Sequence, residues 1–84
     1  MIVIYGADHC SWCTRAKELA EGHRLSYTYR NISENQEYKN QLRTILPDVK
    51  TIPQIWWHGR HIGGYEDFAR EIENTIINYG QEAC

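Results

Sequence analysis

Long apolar runs are missing from this 84-residue chain. The longest, such as Ile2 to Tyr5, are far too short for a membrane span or a signal-peptide core. The expectation is a mature chain that starts at or near Met1 and stays in the cytoplasm, off the membrane. An excess of one charge is missing too. Nine Lys and Arg stand against eleven Asp and Glu, a formal net charge of −2. The basic residues are scattered singly or in pairs, so no footprint for nucleic acid appears. There is no internal repeat, low-complexity tract or linker, and residues 1–84 have room for one domain with a small core. Three cysteines are an odd number, which argues against the disulfide framework of a small secreted scaffold and for a reactive pair plus a leftover. Cys84 is the leftover, expected to be an incidental thiol on a frayed end.

What is present reads as an alternation of strands and helices. Met1 to Tyr5 is apolar and β-branched and stops at Gly6, a buried strand leading into a loop. From Ser11 to Glu21 good helix formers follow, with Cys13, Ala16 and Ala20 on one stripe and Gly22 as the stop. Leu25 to Arg30 alternates with period two through Leu25, Tyr27 and Tyr29, a strand half covered on one face. Ser33 and Gln36 match a capping box for a helix over Glu34 to Leu46, with Tyr38, Leu42, Ile45 and Leu46 as its apolar stripe. Gln54 to Trp57 and His61 to Gly63, joined through His58-Gly59-Arg60, read as a hairpin; Trp56 and Trp57 fall on opposite faces of the first strand. Phe68, Ile72, Ile76 and Tyr79 mark a last amphipathic helix from Tyr65 to Tyr79, closed by Gly80. The order βαβα then ββα predicts an α/β fold: a parallel pair with a crossover helix, extended by an antiparallel hairpin into a four-stranded mixed sheet flanked by three helices.

The chemistry lies in Cys10-Ser11-Trp12-Cys13. Two intervening residues let both sulfurs meet across the first helical turn, as a disulfide or as part of a metal site. Zinc in a structural site needs four ligands, and a second C-x-x-C or an H-x3-H is lacking, although His9 and Cys84 remain available in principle. His9, His23, His58 and His61 read individually as surface or loop residues. A C-x-x-C beside a βαβ pattern reads instead as a thioredoxin-like redox pair. Cys10 precedes the helix, where free N–H groups and the helix dipole favour an anion, and its pKa is expected to be depressed; Cys13 lies inside the helix and is better shielded. Cys10 would then attack a substrate disulfide and Cys13 would resolve the mixed disulfide.

Two further segments bear on the site. Thr51-Ile52-Pro53 runs into a strand without a gap; Pro53 is either an ordinary strand-start proline or the second residue of a cis bond, and the neighbouring C-x-x-C favours cis. Gly63-Gly64-Tyr65-Glu66-Asp67 provides a backbone that a ligand can approach, free amides and acidic side chains at a helix start. Glu66 and Asp67 suit either ordinary capping or a zwitterion whose ammonium meets Asp67.

Together, Cys10-Ser11-Trp12-Cys13, Thr51-Ile52-Pro53-Gln54-Ile55 and His61-Ile62-Gly63-Gly64-Tyr65-Glu66-Asp67-Phe68 resemble a dithiol glutaredoxin over nearly the whole chain. The resemblance implies the thioredoxin fold and glutathione-dependent thiol-disulfide exchange, with Cys10 as nucleophile, Cys13 as resolving thiol and Pro53 as the cis proline. It implies glutathione held by main chain at Ile52 after Thr51, by Glu66 and Asp67, and beside Trp12 and Tyr65, with Lys50 toward the glycine carboxylate. The chain departs from the family pattern in carrying Ser11 and Trp12 where Pro and Tyr are usual, and Ala7 where a basic residue often stands. Members with Ser at this place can bridge a [2Fe-2S] cluster between two subunits, so a cluster-binding dimer with glutathione as co-ligand is an alternative. A redoxin served by thioredoxin reductase is another. The main reading is a monomeric enzyme without a resident metal that reduces protein disulfides and glutathione mixed disulfides, with ribonucleotide reductase as a client by family analogy.

Overall fold

The computed structural model describes residues 1–83, with side chains through residue 75; Cys84 lies outside the described residues. Strand β1 (Ile2–Gly6) is the organising element. It pairs in parallel with β2 (Tyr27–Asn31) and antiparallel with β3 (Gln54–Trp57), which pairs with β4 (Arg60–Gly63), giving the order β2-β1-β3-β4. The β2 register sets Ile2 beside Tyr27 and Gly6 beside Asn31; the β3 register sets Ile4 beside Ile55. Helices α1 (Ser11–Gly22), α2 (Gln36–Ile45) and α3 (Tyr65–Ala83) complete the expected βαβαββα order.

Alternation along the strands decides which face each side chain serves. Ile2, Ile4, Ile55 and Trp57 are buried with Ala16 and Ala20 of α1 and Phe68 and Ile72 of α3 as the main core. The small alanines bring α1 close to the sheet, and the Phe68 ring meets Trp57 edge-on with centroids 5.9 Å apart. Tyr5 and Trp56 belong to the opposite face, ring centroids 5.4 Å apart. There the Tyr5 hydroxyl donates to Gln41 of α2 at 3.1 Å and accepts from Arg30 at 2.6 Å. Trp57 is buried and Trp56 only partly so, as expected for neighbours on a strand.

Several boundaries differ from expectation for identifiable reasons. β2 starts at Tyr27 because the Leu25 amide is used to close α1, donating to Ala20 O at 2.9 Å. Gly22 is the last residue of α1, but the left-handed turn after it falls on Arg24 at φ 57°. Asn35, not Ser33, caps α2: its side chain accepts from Glu37 N at 2.9 Å and Tyr38 N at 3.3 Å, while the Ser33 hydroxyl accepts from Asp8 N at 3.0 Å. The helix therefore starts at Gln36, and it ends at Ile45, one residue early. Only Leu42 of its stripe is buried, and Ile45 is 51% exposed. β4 begins at Arg60 because His58 and Gly59, at φ 56° and 72°, form a two-residue turn. Helix α3 passes through Gly80 to Ala83 rather than stopping there; a lone glycine costs a helix only about 1 kcal/mol and does not by itself end one.

Candidate active site

The loop from Gly6 to Cys10 is pinned before the cysteines begin. Asn31 donates to the Asp8 carboxylate at 2.8 Å, the Asp8 amide donates to Ser33, and Ile32 N donates to Gly6 O at 2.8 Å. His9 then takes a left-handed conformation, φ 57°, turning the chain into α1. Cys10 occupies the N-cap in extended conformation, φ −115° and ψ 105°, and its Sγ accepts from the Cys13 amide at 3.2 Å. A sulfur thus fills the place that a hydroxyl or carboxylate usually fills at a helix N-terminus. Cys10 and Cys13 are joined in a disulfide, Cα atoms 5.2 Å apart. The two are unequally accessible, Cys10 partly exposed and Cys13 at 0%.

Gly6 is required by this packing. A Cβ there would stand 2.9 Å from Cys13 Sγ and closer still to the Tyr29 hydroxyl. Tyr29 in turn donates to Ala7 O at 3.1 Å. Burial, and after it the charge of Asp8, push the Tyr29 phenol above its ordinary value.

Beside the cysteines lies a groove of about 480 Å³ lined by Trp12, Thr51, Ile52, Pro53, Gly64, Tyr65, Glu66 and Asp67. The Ile52–Pro53 peptide is cis, and Ile52 O lies 4.0 Å from Cys10 Sγ at the groove's edge. The Trp12 and Tyr65 rings stand 5.4 Å apart at the mouth; Trp12 is 46% exposed, with the Arg15 guanidinium 4.7 Å over its ring. Gly63, at φ 123°, leaves room for the Asp67 carboxylate to fold back over the backbone, and Asp67 also faces Arg70 at 3.8 Å. Phe68 N donates to Gly64 O at 3.0 Å as α3 begins. Three segments distant in sequence therefore meet at one groove.

Lys50 is the expected residue that does not line this groove. It borders two adjoining depressions, one of about 190 Å³ that reaches Thr51 and Ile52 and one of about 440 Å³ that reaches Thr51, Gln54 and His61. The smaller brings Lys39 and Arg43 of α2 to the same place. Sequence reasoning missed both; their spacing of four marks one helical face, but nothing local shows what that face abuts. Gln54 was missed as well. Its buried amide donates to Thr51 O at 3.0 Å and to the Thr51 hydroxyl at 3.2 Å and accepts from His61 at 2.8 Å, fixing the residue that opens the cis turn. Among the described residues no three His, Cys, Asp or Glu side chains converge as a metal site.

The family model for glutaredoxin matches residues 2–62. The chain belongs to the glutaredoxin family. Glutaredoxin 1 of Escherichia coli strain K12 is 38% identical over 82 residues, covering 88% of this chain and 94% of its own. The solution structure of reduced Escherichia coli glutaredoxin superposes with a TM-score of 0.71 at 34% identity, over 89% of this chain and 95% of that one. The crystal structure of the buckwheat glutaredoxin–glutathione complex, 19% identical, shares the fold with a TM-score of 0.75 over 88% of this chain and 69% of that one. As a glutaredoxin the chain is a thiol-disulfide oxidoreductase with a thioredoxin fold, its redox-active pair in the C-x-x-C at the start of α1.

Proposed function

We propose that this glutaredoxin uses glutathione to reduce protein disulfides and glutathione mixed disulfides, with Cys10 as nucleophile and Cys13 as resolving thiol. The observation that carries this is the asymmetry of the pair. One sulfur sits at a helix N-terminus with an amide aimed at it at 3.2 Å, beside a peptide-sized groove, and the other is fully buried behind it. An N–H donor and the positive end of α1 favour the thiolate of Cys10.

The exchange balances as follows. Cys10 thiolate attacks one sulfur of a substrate disulfide; a Cys10 mixed disulfide forms and the other substrate sulfur leaves as thiolate. Cys13 then attacks Cys10, forming the Cys10–Cys13 disulfide and releasing the second substrate thiol. Two glutathione molecules return the pair to the dithiol and depart as glutathione disulfide. For a glutathione mixed disulfide, the glutathionyl sulfur stays on Cys10 and a second glutathione removes it, so Cys13 is dispensable.

Charge along the cleft supports glutathione as the occupant. Glu66 and Asp67 make one end acidic and suit the γ-glutamyl ammonium, while Lys50, Lys39 and Arg43 make the other end basic and suit the glycine carboxylate. Backbone at Ile52 and the rings of Trp12 and Tyr65 lie between. A [2Fe-2S] cluster held between two chains would draw Cys10 from each and its remaining ligands from glutathione; visible absorbance of protein purified without air tests that alternative. Ribonucleotide reductase is the protein client to assay first, on family analogy alone.

The test is turnover of a glutathione mixed disulfide and of a protein disulfide, with glutathione and its reductase. Cys10→Ser loses both activities; Cys13→Ser keeps the first and loses the second. Loss of both in Cys13→Ser contradicts the assigned roles, and turnover sustained by thioredoxin reductase but not by glutathione rejects the reductant.

A further inference from the structure

The side chain that residue 6 lacks leaves a space bordered by two polar atoms, Cys13 Sγ and the Tyr29 hydroxyl. A Cβ on Gly6 would lie 2.9 Å from Cys13 Sγ and 2.8 Å from Tyr29 Cζ, with the Tyr29 hydroxyl nearer still. The phenol's own proton is committed to Ala7 O at 3.1 Å, so what it offers to this space is an oxygen lone pair. Cys13 is fully buried. When the disulfide opens, its S–H has no access to water and needs an acceptor within the protein. The charged groups facing the phenol are Lys17 of α1, whose ammonium is 4.2 Å from the ring centroid, and Asp8 of the loop; Tyr27 on the same strand is its titratable neighbour. Burial and Asp8 keep the phenol protonated, which makes it an acceptor rather than a base.

We propose that Tyr29 is a positioning residue for Cys13: in the dithiol its phenolic oxygen accepts the Cys13 S–H and holds that thiol protonated while Cys10 carries the negative charge. This rests on the reading of Cys13 as the resolving thiol. In the resolving step the Cys13 sulfur bonds to Cys10, the bond from Cys10 to the substrate sulfur breaks, and the departing thiolate takes the proton that Cys13 gives up. The disulfide form has no S–H at residue 13, so only the dithiol benefits from Tyr29.

Tyr29→Phe keeps the ring and removes the acceptor. In the variant the dithiol–disulfide equilibrium against glutathione moves about fivefold toward the disulfide, the size of one lost hydrogen bond, and the Cys13 titration moves to lower pH. Turnover of a glutathione mixed disulfide, which uses Cys10 alone, stays within about twofold, both in the wild-type background and in Cys13→Ser. An unchanged equilibrium overturns the proposal, as does an equal loss of turnover in the Cys13→Ser background, because the effect then bypasses Cys13. A measurement on the unmutated protein guards against a variant that fails to fold: the Tyr29 Cζ resonance shifts between dithiol and disulfide forms, and indifference to redox state rejects the contact. Failure of the underlying reading shows separately, as loss of both activities in Cys13→Ser.

Discussion

The Cys13 amide points at the Cys10 sulfur across 3.2 Å, so the side chain of one member of the redox pair caps the backbone of the other. In the dithiol this N–H is a donor to a developing thiolate at the positive end of α1. The Cys10 thiol is therefore expected to titrate well below the ordinary cysteine range. Alkylation rate against pH in the Cys13→Ser variant checks this, and a profile like that of free cysteine removes the electrostatic basis of the nucleophile.

Gly6 tolerates no side chain. Gly6→Ala drives a methyl group against Cys13 Sγ and the Tyr29 hydroxyl at the end of the central strand. The expected cost is about 1–3 kcal/mol, the range for overpacking a close-packed site. Because the clash falls on Cys13, protein-disulfide reduction suffers more than deglutathionylation. Denaturant unfolding with both assays reads the two effects, and a fully stable, fully active variant contradicts the packing described.

These contacts mark what the sequence disclosed and what it withheld. Cys10 and Cys13 are three apart at a helix start, so local geometry alone brings their sulfurs together, and the period-two pattern of Leu25, Tyr27 and Tyr29 names the side chains that pack on the core. Capping of α2 was misplaced because Ser33 is claimed by the Asp8 amide, a partner 25 residues away that no local motif reveals. The approach of Lys39 and Arg43 to Lys50, and of Tyr29 to Cys13, likewise depends on how distant elements pack. Ile45 lies on the helical stripe but faces outward, since periodicity marks a face without saying how far the sheet beneath it extends.

Tyr27 gives the fold an alkaline limit. Its phenol is pushed from its ordinary value of 10.0 up to about 12, first by burial and then by its hydrogen bond to Glu21 and the charge of that carboxylate. A raised folded-state pKa means that the native chain holds this proton more tightly than the unfolded chain. The contribution is fully present below pH 10 and is lost as pH rises from about 10 toward about 12. Unfolding free energy measured across this window is expected to fall with pH, with a shallower slope in Tyr27→Phe. An identical slope in the variant assigns the alkaline loss to other groups.

Lys39 and Arg43 carry the most direct test of how the cleft orients its ligand. Both line the depression that runs into Thr51 and Ile52, together with Lys50 and with no acidic side chain among its lining residues, whereas Glu66 and Asp67 hold the opposite end of the cleft. A tripeptide lying between them with its glycine carboxylate toward α2 gains attraction from these cations without their touching the reacting sulfurs. Charge reversal in Lys39→Glu/Arg43→Glu should raise the KM for glutathione about tenfold, each exposed charge being worth up to about 1 kcal/mol, with kcat nearly unchanged. The wild-type KM should rise with added salt while that of the double variant does not, since screening removes attraction in one and repulsion in the other. A lowered kcat at constant KM would place these residues with the sulfurs instead, and no change in either constant would leave the glycine carboxylate to Lys50 alone.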